Sequence, residues 1–103
     1  MTHVLRTDRL VLAPLGADDL AAWHALNMEP GVRRFLFDDQ EWTLDETRER
    51  LLAENLRMWS AEGRGLHGIR TREGGPLEGW IGWWYFHEPP VLELAYALHP
   101  RAW

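Results

Sequence analysis

Residues 77–98 read Leu77-Glu78-Gly79-Trp80-Ile81-Gly82-Trp83-Trp84-Tyr85-Phe86-His87-Glu88-Pro89-Pro90-Val91-Leu92-Glu93-Leu94-Ala95-Tyr96-Ala97-Leu98. Two runs rich in aromatic and aliphatic residues flank a His-Glu-Pro-Pro turn, and prolines interrupt a strand because they cannot donate to its ladder. The pattern predicts a strand over 77–86, a turn over 87–90 and a strand over 91–98 that Pro100 stops. Side chains alternate along a strand, so Trp80, Trp84 and Phe86 face one way while Ile81, Trp83 and Tyr85 face the other. A sheet that is apolar on both faces needs cover on both. Along 91–98, Leu92, Leu94, Tyr96 and Leu98 make the apolar face, and Glu93 sits opposite.

Upstream, residues 66–71 (Leu-His-Gly-Ile-Arg-Thr) form a short strand. The Glu73-Gly74-Gly75-Pro76 turn joins it to 77–86 as a hairpin. Thr43-Leu44-Asp45-Glu46 is a capping box, in which Thr43 accepts from the backbone at Glu46 and Glu46 reaches back. The helix that follows carries Leu44, Leu51, Leu52, Met58 and Trp59 as one apolar stripe, and Glu46 with Arg50 pairs on its wet side. Gly63 and Gly65 end it. Residues 8–15 read as a first strand, with Pro14 pushing it toward an edge or a strand end. Asp18 and Asp19 suit the first turn of a helix in which Leu20, Trp23, His24 and Leu26 recur. Pro30-Gly31 stops that run, and Val32 to Leu36 makes a further helical turn. The resulting order is β-α-α-β-β-β, an α+β chain with a mainly antiparallel sheet. Its two helices cover one face, so the other requires a partner chain or further sequence.

The chain has 103 residues, enough for one compact domain over 1–103, and is 46% hydrophobic with seven Trp. Net charge is −5, and all 11 basic residues are Arg, scattered among 16 acids. With no basic stripe to follow a phosphate backbone, nucleic acid is not an expected partner. There is no Cys, which excludes disulfides, thiolate metal sites and a Cys nucleophile. The N-terminus lacks the apolar segment of a signal peptide, and no run reaches the ~20 apolar residues of a membrane span. A soluble, cytoplasmic protein is the expectation. His24, His67, His87 and His99 match no zinc or facial-triad spacing, so no metal is expected.

The opening Thr7-Asp8-Arg9-Leu10-Val11-Leu12 leads to Asp18-Asp19-Leu20, then to the Thr43–Glu46 box, Trp80-Ile81-Gly82 and finally Leu92 to Pro100. In that order and spacing, over essentially all 103 residues, these segments resemble the GNAT superfamily of N-acetyltransferases. Within it, the ribosomal-protein N-terminal acetyltransferase branch is the most similar. The resemblance implies acetyl transfer from acetyl-CoA, as co-substrate, to a primary amine (a protein N-terminus or a small-molecule amine), with no covalent enzyme intermediate. In the family the fourth strand runs into R/Q-x-x-G-x-G/A, whose backbone N–H groups hold the cofactor pyrophosphate at a helix N-terminus. Arg101-Ala102-Trp103 matches the first three positions of that motif. The given sequence stops before its glycines, before the helix and strand that follow, and before the family's general-acid Tyr.

By the same resemblance Glu93 is the catalytic candidate, accepting the proton of the attacking amine directly or through water. Ala97, Leu98 and His99 are expected to bond the pantetheine arm through their backbone, and Arg101, Ala102 and Trp103 to lie at the pyrophosphate. Phe35, Trp83 and Tyr85 are expected to line the acceptor pocket. With half of the cofactor site missing, the 103-residue chain alone is expected to be inactive or nearly so. The free edge of the fourth strand should favour dimers or aggregation. A rival reading is a non-catalytic binding or assembly module that uses this edge and the Trp-rich face; another is a sensor that keeps the acyl-CoA cleft without the chemistry.

Overall fold

The computed structural model describes residues 3–86 and 91–103, with Phe86 described by its backbone alone. Five strands form one antiparallel sheet in sequence order: β1 Leu5–Arg6, β2 Val11–Pro14, β3 Leu66–Arg70, β4 Gly79–Phe86 and β5 Val91–Leu98. The predicted turn over 87–90, with His87, lies outside the described residues. On either side of it β4 and β5 keep one uniform register, from Phe86↔Val91 to Gly79↔Leu98.

The strand expected over 8–15 is two strands. Thr7 Oγ1 accepts from the N–H groups of Arg9 and Leu10, and this side-chain turn folds Leu5-Arg6 back onto Val11-Leu12. Pro14 pairs with His67 at the far end of β2. The next rung is a bond from Leu15 N–H to the Leu66 carbonyl, so the missing N–H of Pro14 points away from β3, where β1 has already ended.

Three helices follow β2. The first, α1 (Leu20–Asn27), is entered through a turn in which Asp19 accepts from Gly16 N–H and from Arg70. The second, α2, spans Pro30–Leu36. Pro30 therefore starts a helix rather than only ending one, because the first-turn N–H groups of a helix have no partner to lose. The third, α3, runs over 44–62, and both bonds of the Thr43–Glu46 capping box are 3.1 Å long. Gly63, at φ +67°, ends it in the left-handed region.

A π-helical turn at Arg48–Leu52 rephases the buried stripe of α3. Its inward positions are Thr47, Leu52, Asn55 and Met58, whereas Leu44, expected inside, is 40% exposed. Asn55 is fully buried and acts as a rung of the sheet: its Nδ2 donates to the Leu15 carbonyl at 3.0 Å, and its Oδ1 accepts from Leu66 N–H at 2.8 Å.

Trp23 and Leu26 of α1, Val32 of α2 and Leu52 of α3 share one core with Leu66, Trp80, Ala95 and Ala97. All three helices thus cover the same sheet face. On β4, Trp80 is buried and donates to buried Asn27 at 2.8 Å. On β5 the buried side chains are Ala95 and Ala97, paired with Gly82 and Trp80. This corrects the sequence reading of β5. Leu92, Leu94, Tyr96 and Leu98 are its open side, with Leu94 57% and Tyr96 64% exposed, because the small residues are the ones that fit beneath the helices beside bulky Trp80. Trp83 and Tyr85 lie on this open face too, which the C-terminal end of α3 reaches through Glu62 at Tyr85 and Trp59 at His67.

Gly82 gives the Ile81-Gly82 pair a physical reason. A Cβ there would stand 2.1 Å from the Gly65 carbonyl oxygen. The close approach lets that carbonyl accept from Trp83 N–H at 3.1 Å.

Candidate functional site: a groove along the β5 edge

A groove of about 550 Å³ runs between α2 and the outer edge of β5. Gly31, Val32, Phe35 and Leu36 line one wall, Glu93 to Leu98 the other, and Trp103 closes one end. Phe35 projects into solvent and is 78% exposed. Gly31 leaves room for the Trp103 ring, since a Cβ would lie 2.8 Å from it.

The backbone of β5 has a definite polarity toward this groove. His99 N–H donates to the Glu78 carbonyl at 2.8 Å. In an antiparallel ladder such bonded pairs alternate with pairs whose N–H and C=O groups point outward. Ala97 and His99 therefore face β4, while Leu94, Tyr96 and Leu98 turn their backbone groups into the groove. The Leu98 carbonyl already accepts from the Trp103 indole at 3.0 Å. Of the expected backbone contacts Ala97, Leu98 and His99, only Leu98 presents its polar groups outward.

Glu93 pairs with Trp84 across the β4–β5 ladder, so its side chain shares the helix-covered face of the sheet. It is exposed, lines the groove, and makes no hydrogen bond or ion pair among the described residues. An unpaired carboxylate in an apolar groove can attract a cation or accept a proton.

Arg101 is occupied. Its guanidinium bonds Glu78 at 2.8 Å and the Leu77 carbonyl at 3.3 Å, and the hydrogen bond to Arg101 holds the Glu78 carboxyl below the usual carboxylate range. The N–H groups of Arg101, Ala102 and Trp103 donate to His99 Nδ1, the His99 carbonyl and the Pro100 carbonyl, in that order. As folded, residues 101–103 offer an anion no free backbone donor.

Two of the expected acceptor-pocket residues lie elsewhere. Trp83 and Tyr85 point to the open face, away from Glu93 and Phe35, because the strand period puts them opposite Trp84. Tyr85 donates to Glu62 at 2.6 Å, and that bond raises its pKa above the ordinary tyrosine value.

A smaller cavity of about 230 Å³ lies on the covered face, lined in part by Trp23, Phe37, Trp42, Trp80 and Trp84. It shares Leu36 and Ala95 with the groove. Phe37 and Trp42 reach it from the loop between α2 and α3, where their rings meet edge to face at 5.0 Å. Asp38 and Asp39 adopt φ of +51° and +59° there, which Asp tolerates better than most residues. Arg33 fastens the loop through Asp39 at 2.9 Å and Glu41 at 3.2 Å. Of these walls, the residues of the helices and β4 are legible in the sequence but Phe37 and Trp42 are not, and Trp84 falls beside Glu93 only once the β4–β5 register is known.

Three of the described histidines are tied down by hydrogen bonds. His24 bonds Thr47, His67 bonds the His3 carbonyl, and His99 bonds Glu29. Among the described residues no cluster of three or more acidic, His or Cys side chains could hold a metal ion, and no helix is long and apolar enough to cross a membrane.

The model of the Acetyltransferase (GNAT) domain matches residues 9–103. The chain belongs to the GNAT acetyltransferase family. Solved structures agree. A protein assigned to the GnaT-family acetyltransferases from Bordetella pertussis superposes with a TM-score of 0.78 at 25% identity, over 96% of this chain and 60% of its own. An acetyltransferase from Agrobacterium tumefaciens gives 0.76 at 27% identity, over 97% and 56%. A GNAT-family acetyltransferase from Bacillus anthracis, at 15% identity and a TM-score of 0.65 over 95% and 54%, shares the fold. The chain thus spans between about half and three-fifths of the length of these GNAT proteins. No protein of curated function matches the sequence. GNAT acetyltransferases use acetyl-CoA as co-substrate.

Proposed function

We propose that residues 1–103 form the N-terminal portion of a GNAT domain that transfers acetyl from acetyl-CoA to a primary amine, with Glu93 as the proton acceptor. The observation that carries this reading is the position of Glu93: an unpaired carboxylate in the groove beside the outward backbone of β5. Glu93 takes a proton from the bound ammonium, directly or through one water, which leaves a neutral amine able to attack a thioester carbonyl. The outward N–H groups of Tyr96 and Leu98 orient the acyl arm and stabilise the charge that develops on the carbonyl oxygen. Both a protein N-terminus and a small-molecule amine have this chemistry. The N-terminal acetyltransferases of ribosomal proteins are the branch we favour, on the motif order in residues 7–100.

The pyrophosphate end is not held by residues 101–103 as they are folded, so turnover by this chain is slow and needs high acetyl-CoA. Single-turnover conditions with stoichiometric protein suit the test. The chain has no Cys, so every thiol that appears is released CoA. Amine-dependent thiol release is the expected result; release that ignores the amine contradicts the proposal.

The exposed Trp83, Leu94 and Tyr96 face favours a second reading, an assembly module that pairs through its open sheet face and edge. Light scattering over a wide concentration range separates the two. A defined dimer that leaves the groove unable to bind amines supports the module, whereas a monomer that binds them supports the transferase.

A further inference from the structure

We infer that the aromatic cavity beside Glu93 is the acceptor's specificity pocket, and that it selects primary amines carrying a single ring or a branched aliphatic group. The inference rests on the acetyl-transfer reading and adds the class of amine to it.

The cavity measures about 230 Å³, below the roughly 300–1,000 Å³ of sites that enclose a drug-sized ligand. It therefore suits one substituent rather than a whole molecule. Its walls are mostly carbon, and Trp80 spends its indole N–H on Asn27. Trp23 adds a buried Nε1 that has no hydrogen-bond partner among the described residues. Such walls reward an apolar body and penalise a charged one.

The charge preference lies at the mouth. The cavity meets the groove at Leu36 and Ala95, and Glu93 is the neighbour of Ala95 but one along β5 on the same face. Trp84, a wall residue, is the direct cross-strand partner of Glu93. A ligand with its ring among Trp42, Trp80 and Trp84 thus has its amine within one residue spacing of the carboxylate. Phe37 and Trp42 bracket the run Asp38-Asp39-Gln40-Glu41, in which Arg33 pairs with Asp39 and Glu41, and the Arg50 guanidinium stands over the Trp42 ring at 5.3 Å, so the loop itself adds no net anionic rim. Apolar walls beside the unpaired carboxylate of Glu93 fit an amphiphilic cation.

The test titrates 2-phenylethylamine, ethylamine and 2-phenylethanol into the 103-residue chain, reading the indole N–H resonances by proton–nitrogen NMR and acetyl transfer by thiol release. The indole signals of Trp42, Trp80 and Trp84 should move saturably with 2-phenylethylamine, while those of Trp83 and Trp103 stay still. Ethylamine should need at least about tenfold higher concentration, since one ring buried in an apolar pocket contributes more than 1.4 kcal/mol. Trp42→Ala, outside the shared core, should remove this preference and keep the fold. Glu93→Gln should weaken 2-phenylethylamine and leave 2-phenylethanol unchanged. Pocket signals that stay still with every ligand overturn the inference, as does equal acetylation of both amines. The transferase reading fails separately: ring binding at the pocket without amine-dependent thiol release upholds the pocket and removes acetyl transfer.

Discussion

Glu93 and Trp84 stand directly opposite each other on neighbouring antiparallel strands, so a carboxylate and an indole share the helix-covered face of the sheet. That pairing places the Glu93 carboxylate where the groove along β5 meets the aromatic cavity. Buried Ala95 and Ala97 continue the same face and leave the room that larger side chains would fill.

The frame that holds this face depends on Asn55. Replacing it with Leu leaves the buried Leu66 N–H and the Leu15 carbonyl without their partner. Each group stranded away from water costs about 1–3 kcal/mol, so Asn55→Leu should lower stability by about 2–6 kcal/mol. Urea unfolding followed by tryptophan fluorescence measures this. A loss below about 0.5 kcal/mol would show that water replaces the amide without penalty.

The turn over 100–103 should loosen in acid. Arg101 keeps the folded-state pKa of Glu78 below its unfolded value. The pair therefore stabilises the turn at and above the ordinary carboxylate range, and that contribution disappears as pH falls through the lowered folded value. The Trp103 indole resonance, which reports the bond to the Leu98 carbonyl, should shift in that acid window. In Glu78→Gln the shift should be absent. An unchanged titration in the variant would assign it to another group.

Because residues 101–103 spend their N–H groups locally, the chain should bind acetyl-CoA about as weakly as acetyl-pantetheine. Calorimetry should find the two dissociation constants within a few-fold. A preference for acetyl-CoA above about tenfold, or 1.4 kcal/mol, would mean that the phosphates find a cradle in this chain after all. Glu78→Gln should raise the ratio by freeing Arg101.

Much of this was legible from residue order. The capping box, the left-handed Gly63 and the exact span of β5 follow from local chemistry that tertiary packing does not override. The same holds for the two apolar faces of β4, since alternation alone puts Trp83 and Trp84 on opposite sides. The covered face of β5 was not legible. Leu94 and Tyr96 outrank Ala95 and Ala97 in hydrophobicity, yet the space left by Trp80 and the helices decides which pair goes in. The β1–β2 turn was hidden because it rests on one Thr7 side chain, and Leu44 was misplaced because a π-turn breaks the helical period. In the groove, the places of Glu93 and Leu98 on β5 follow from the span of that strand. Trp42 and Phe37 could not be placed, because a loop held by Arg33 brings them to the cavity.

The central claim is that Glu93 removes the proton that blocks attack. Its most direct test compares the chain with Glu93→Gln in single-turnover thiol release at saturating amine and acetyl-CoA. A positioned general base contributes about 10²- to 10⁴-fold, so the variant should lose at least about 100-fold in rate while its groove still binds acetyl-pantetheine. Equal rates in the two proteins would contradict the account and leave the carboxylate as no more than an anchor for the amine.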